Sequence, residues 1–170
     1  MKILVEGRPG SGKTTVAVRL IDALRERGVE VSGFVTHELR GRGQRVGFEL
    51  ETVDGSRATL AHITFRGPPR VGRYGVDLPA FERVALPALA ETRNGVVVID
   101  ELGKMELASE RFREAVTRIF DSPGRVIATI HIFRHPFSDA LKRRTDVERI
   151  RITKASRDAL PEQLVAHLER

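Results

Sequence analysis

Gly7-Arg8-Pro9-Gly10-Ser11-Gly12-Lys13-Thr14 is the stretch on which the reading of this chain turns. It has the form G-x-x-x-x-G-K-[ST], and its surroundings matter more than the match. Upstream, Lys2–Glu6 is a short apolar run that ends at a glycine, the pattern of a buried parallel strand. Downstream, residues 14–27 carry Val16, Leu20, Ile21 and Leu24 at helical spacing, and Gly28 supplies the stop. A glycine-rich turn between strand and helix lets consecutive backbone N–H groups point at one anion. The helix start adds unpaired N–H donors and the positive end of its dipole. The expected phosphate-binding residues are therefore Gly7, Arg8, Pro9, Gly10, Ser11, Gly12, Lys13 and Thr14, with Thr15 behind them. Lys13 brings a full charge to the β- and γ-phosphates, and the Thr14 hydroxyl is a hard oxygen ligand suited to Mg²⁺.

A second stretch complements the first. Val96-Val97-Val98-Ile99 is an apolar strand that ends in Asp100 and Glu101. In an open α/β sheet the ligand sits beyond the carboxyl ends of the strands, so these two acids are delivered to the phosphates. Asp100 is expected to hold Mg²⁺ and to belong to the nucleotide site. Glu101 is placed to orient a water molecule and accept its proton, as a general base does. Lys104 follows closely and has two readings, a contact to the γ-phosphate or a surface lysine.

The rest of the chain sets bounds. With 170 residues, 41% hydrophobic and 31% charged, it suits one compact domain over residues 1–170. No apolar run approaches the length of a membrane span, and the N-terminus lacks a signal-peptide core, so a cytoplasmic protein is expected. The absence of cysteine removes disulfide and thiolate chemistry. The net charge of +6 attracts polyanions, which keeps nucleic acid open as a partner, although a solvated basic surface explains the same number.

Strands alternating with helices imply an α/β fold with a mostly parallel sheet flanked by helices in three layers. Residues 29–36, 95–99 and 125–130 read as further buried strands, and residues 147–152 as a last edge strand. Residues 33–63 alternate and carry turn signals at Arg40-Gly41-Arg42-Gly43 and Asp54-Gly55, so they read as a β-hairpin insertion. Residues 67–75 hold two prolines and three glycines and read as a loop. Helices are expected over residues 79–92, shortened or kinked by Pro87, over 109–120 with Ser109 as cap, over 136–144, and near the C-terminus.

Beyond the phosphate loop, Asp100-Glu101-Leu102-Gly103-Lys104-Met105-Glu106-Leu107 resembles the second motif of the small nucleoside-triphosphatases of thermophiles and of their cancer-related vertebrate relatives. Residues 33–40, followed by Gly43, Arg45, Gly47 and Phe48, resemble that family's hairpin signature, and Val71-Gly72-Arg73-Tyr74 and residues 81–87 also fit. Thr153-Lys154-Ala155-Ser156-Arg157 is similar to its late motif, with Ser156 where Asn is usual. The resemblance spans nearly the whole chain. It implies a P-loop fold of the additional-strand type and Mg²⁺-dependent hydrolysis of several nucleoside triphosphates, ATP and GTP among them, with the protein a monomer.

Several residues keep two readings. Arg40, beside Glu38, is either an arginine finger or a hairpin-surface charge. Thr129 and His131, at the end of a strand, either sense the γ-phosphate or serve only their neighbours. Lys154–Arg157 is expected to border the base. Two other functions compete with hydrolysis. A nucleotide or small-metabolite kinase shares the same phosphate machinery, and an RNA-binding switch suits the charge but lacks aromatic platforms.

Overall fold

A computed structural model describes residues 1–169. Nine strands form one sheet in the order β5-β6-β4-β3-β2-β7-β8-β1-β9. Five of them are parallel: β2 (Val31–Gly41), β7 (Val96–Leu102), β8 (Arg125–Ile130), β1 (Lys2–Glu6) and β9 (Glu148–Arg151). The central strands are apolar throughout because both faces are covered. On one face α1 (Lys13–Glu26) and α5 (Leu160–Leu168) bury Val16, Leu20, Leu24, Leu164 and Val165 against Ile3, Val5, Val98 and Ile127. On the other, α2 (Leu78–Ala88) and α3 (Glu110–Asp121) bury Phe81, Ala85, Phe112 and Val116 against Leu4, Phe34, Val97 and Ile99. Phe34, Phe81 and Phe112 form a mutually tilted ring cluster with centroids 5.1–6.0 Å apart. The short α4 (Pro136–Lys142) follows β8.

β8 lies between β1 and β7, so one additional strand separates the phosphate-loop strand from the strand that ends in Asp100 and Glu101. Beyond β2 the sheet turns antiparallel. β2 runs past the parallel core and folds back as β3 (Gln44–Thr52) and β4 (Arg57–His62), extending the insert expected over residues 33–63.

Local chemistry explains the differences from the sequence reading. The stretch 67–75 is not all loop: β5 (Arg70–Val71) and β6 (Tyr74–Val76) make a small hairpin, and β6 pairs with β4 at Ala61↔Val76. α2 starts at Leu78, with Asp77 accepting from the Ala80 amide, and ends at Ala88 rather than Thr92. Pro87 has no N–H to bond back into the helix, so the chain can carry it only in the last turn. Ser109 caps α3 as expected, its hydroxyl oxygen accepting from the Phe112 N–H at 3.1 Å.

Candidate nucleotide site

The loop between β1 and α1 holds its glycines where other residues would be strained, with φ +75° at Gly10 and +100° at Gly12. Lys13 begins α1 and folds back over the loop. Its Nζ donates to the carbonyl oxygens of Gly7 at 2.9 Å and Arg8 at 3.0 Å. The same ammonium lies 3.5 Å from Glu101 Oε2. The loop lysine and the second acid of β7 therefore meet across the end of the sheet.

Asp100 is 1% exposed, and three donors hold its carboxylate. The Thr14 hydroxyl donates to Oδ2 at 2.7 Å and the Thr129 hydroxyl to Oδ1 at 2.6 Å. The Thr36 N–H reaches Oδ2 at 3.3 Å. Burial pushes the Asp100 pKa above the usual carboxylate range, and these donors and Lys13 oppose the shift. Burial also raises the Glu101 pKa, the Lys13 charge pulls it down, and Asp100 adds to the rise. The Thr14 hydroxyl beside the Asp100 carboxylate is a pair of hard oxygen donors. Among the described residues no three His, Asp or Glu side chains form a metal-holding group, so a cation on this pair would complete its shell from phosphate oxygens and water.

These groups open into a cavity of about 660 Å³. Pro9, Gly10, Gly12, Lys13, Thr14, Thr15, Asp100, Glu101 and Lys104 line it. Gly7, Arg8 and Ser11 complete the loop without lining the cavity. Lys104 does not face the loop lysine's partners: its Nζ lies over the Phe133 ring, 4.7 Å from the centroid. His131 lines the cavity and is buried, with Nε2 2.8 Å from Ser138 Oγ and no partner for Nδ1. Burial, then the charges of Lys142, His135, Lys104 and Lys13, lowers the His131 pKa to about 4, so the ring is neutral near pH 7.

Two residues that kept two readings take the one away from the phosphate. Thr129 serves Asp100 rather than the open cavity. Arg40 lies outside the cavity lining and pairs with Glu38 at 2.8 Å, while Arg45 lines the cavity. A register shift between Leu39 and Arg40 sets Arg40 opposite Arg45 and ends the regular alternation there. Sequence reasoning about the site also passed over Phe48, Tyr74, Met105, Glu106 and Phe133, all in the lining. The available signal was that Phe48, Tyr74, Met105 and Glu106 fall within the motifs that carry the resemblance. Of residues 154–157, expected to border the base, Arg157 lines the cavity and lies over the loop, its Cδ 3.0 Å from the position a Cβ would take on Gly12.

A family profile described as NTPase matches residues 2–165. The chain belongs to the NTPase family. It is 40% identical to the nucleoside-triphosphatase THEP1 of Thermotoga sp. strain RQ2, over 99% of this chain and 96% of that protein. It is 39% identical to the human cancer-related nucleoside-triphosphatase, over 96% of this chain and 94% of that one. The crystal structure of THEP1 from Aquifex aeolicus superposes with a TM-score of 0.91 at 37% identity, each chain covered completely. No helix of this NTPase-family chain, among the described residues, is long and apolar enough to cross a membrane.

Proposed function

We propose that this NTPase-family chain hydrolyses ATP, GTP and other nucleoside triphosphates to the diphosphate and phosphate. The observation that carries the reading is the 3.5 Å approach of Lys13 Nζ to Glu101 Oε2. A terminal phosphate held by the loop amides falls beside both groups. Lys13 exchanges its loop carbonyls for phosphate oxygens and stabilises the charge that develops on them. Glu101 orients water on the far side of the γ-phosphorus and takes its proton as the new P–O bond forms and the bond to the bridging oxygen breaks. The partly enclosed position that pushes the Glu101 pKa up also strengthens it as an acceptor, and the Lys13 charge opposes that shift.

Thr14 and Asp100 are the residues that would hold Mg²⁺, and the hydrogen bond between them fits that use because the hydroxyl and carboxylate already converge. When bound there, the ion would neutralise charge on the β- and γ-phosphate oxygens. Thr129 and the Thr36 amide keep the Asp100 carboxylate aimed at Thr14.

The test is phosphate release from ATP, GTP, CTP and UTP with Mg²⁺, beside Glu101→Gln. The amide keeps the shape and cannot accept the proton, so release should fall at least tenfold, in line with loss of a general base. Nucleotide binding should persist. Release from the variant equal to that of the native chain would remove Glu101 from the reaction.

A further inference from the structure

The cavity has two ends, and a nucleotide accounts for one. With its terminal phosphate at Lys13 and Glu101, as proposed above, a nucleotide would run toward Thr15 and Arg157, which line the cavity too. The opposite end lies beyond Glu101 and is walled by the antiparallel insert. Phe48 of β3 meets Tyr74 of β6 edge-on, with centroids 5.3 Å apart, and Val71 of β5 stands beside them. The Arg45 guanidinium caps both rings, 5.3 Å from the Phe48 centroid and 5.9 Å from that of Tyr74. Its Nε donates to the Tyr74 hydroxyl at 3.0 Å, which fixes its position.

Met105 and Glu106 also line the cavity. Glu106 is only 4% exposed, yet its carboxylate is turned to the same spot as that of Glu101. A Cβ on Gly103 would stand 2.9 Å from Glu101 Oε1 and 3.0 Å from Glu106 Oε2. The two carboxylate oxygens are therefore less than about 6 Å apart, and residue 103 has no side chain to separate them. Hydrolysis needs only a water molecule at this point. It calls for neither an aromatic wall, nor a guanidinium over it, nor a second buried acid.

We propose that this end of the cavity binds a second small molecule, an aromatic or heteroaromatic alcohol, whose hydroxyl replaces water at the γ-phosphorus. The proposal rests on the reading of the loop and Glu101 given above. The ring lies against Phe48 and Tyr74. Arg45 takes an electronegative substituent at the outer end. The hydroxyl at the inner end donates to the Glu101 carboxylate, with the Glu106 side chain beside it as the positioning group. In the transfer, the hydroxyl oxygen bonds to the γ-phosphorus and the bond from that phosphorus to the β,γ-bridging oxygen breaks. The nucleoside diphosphate departs, and the hydroxyl proton passes to the Glu101 carboxylate. With no alcohol present, water takes the same place.

Tyr74 makes the test direct. It is the chain's single tyrosine, so incorporation of 3-fluorotyrosine gives one ¹⁹F resonance inside the proposed site. The full chain with ADP and Mg²⁺ is titrated with adenosine, guanosine, cytidine, uridine and pyridoxine. Each probe is then incubated with the chain, Mg²⁺ and ATP labelled on the γ-phosphate, and label in inorganic phosphate is separated from label in the probe. The expected result is a saturable shift of the resonance by at least one probe and label in that same probe. Phe48→Leu and the exposed Arg45→Gln should each weaken its binding about tenfold, from lost ring contact and lost cation. Thermal melts of both variants with ADP and Mg²⁺ check that they are folded. A resonance unmoved by every probe overturns the site, and a shift without label in any probe overturns the acceptor role. Phosphate release without probes keeps the two readings apart. Its absence, with label still reaching a probe, overturns hydrolysis and supports the acceptor site.

Discussion

Replacing Thr129 by valine isolates one hydrogen bond to the Asp100 carboxylate. The two side chains have nearly the same shape, both partners are at least 98% buried, and the bond is 2.6 Å long. Valine leaves Asp100 Oδ1 facing a methyl group. Loss of a donor to a buried charged group costs about 2–3 kcal/mol. For a chain of this length that is a fall in Tm of roughly 4–12 °C. The cost depends on pH. Burial raises the folded-state pKa of Asp100 above its unfolded value, so the native state binds the extra proton and stability falls as pH rises between the two values. Removing the Thr129 donor raises the folded pKa further. The deficit of the variant should therefore be larger at high pH and shrink as pH falls toward the unfolded value, where a protonated Asp100 no longer needs the donor. The assay is thermal unfolding followed by circular dichroism in EDTA without nucleotide, from pH 4 to pH 8. Thr129→Ser, which keeps the hydroxyl and loses a methyl, should show a smaller and pH-independent loss. A Thr129→Val melt within 1 °C of the native chain at pH 7, or a deficit equal at both ends of the range, would refute the reasoning.

Lys13→Ala should weaken nucleotide binding and abolish phosphate release, because no other cation in the loop reaches the γ-phosphate position; calorimetry with a non-hydrolysable ATP analogue beside the release assay checks both. Arg157→Ala should raise KM for ATP, GTP, CTP and UTP by similar factors with kcat little changed, since a guanidinium over the loop supports the face of any base without reading its edge. A change confined to one base would contradict that. His131 is held neutral, with its pKa lowered to about 4, so the native state binds fewer protons than the unfolded chain below pH 6.5. Stability should decline as pH drops from about 6.5 toward 4, and His131→Gln should remove part of that decline, read as the difference in Tm between pH 7 and pH 5.

The parts of this molecule legible in its sequence are those that local chemistry dictates. The loop, the buried strands and the acids at the end of β7 follow from residue order alone, because a parallel strand fixes where its last residue emerges. Thr129 shows where that reasoning stops. At the end of a strand it reads as facing a phosphate, yet the register Ile99↔Ala128 sets it beside Asp100 on the neighbouring strand, and register is a tertiary fact. Arg40 makes the same point: of its two readings, arginine finger and hairpin-surface charge, the structure shows the surface pairing with Glu38. One irregularity after Leu39 changes which side chain faces the cavity, and nothing in the residues themselves announces it. The hairpin of β5 and β6 hid behind prolines and glycines that mark turns more strongly than strands. Phe48, Tyr74 and Glu106 belong to three separate elements that only the fold brings together.

The placement of β8 explains why these elements make a working site. Neighbouring strands lie about 4.8 Å apart, so one strand inserted between β1 and β7 opens a gap of roughly 10 Å between the loop and the acids. A direct β1–β7 pair would press Glu101 against the loop and leave no room for a phosphoryl group between them. In the proposed reaction the wider gap would take the phosphate between Lys13 and Glu101, and the Thr14 hydroxyl still reaches Asp100 at 2.7 Å. β8 does more than space them. Its Thr129 crosses to Asp100 and holds that carboxylate in a gap it would otherwise be free to explore. The far side of β7 obeys the opposite rule: β2 pairs with it directly and then runs on beyond the parallel core, so the insert rises as a wall just past Glu101. In the proposed arrangement the phosphate stays on its loop, the added strand spaces that loop from the acids of β7, and the extended β2 bounds the far side. In that arrangement an attacking group would approach past Glu101, on the side where Phe48, Tyr74 and Glu106 line the cavity.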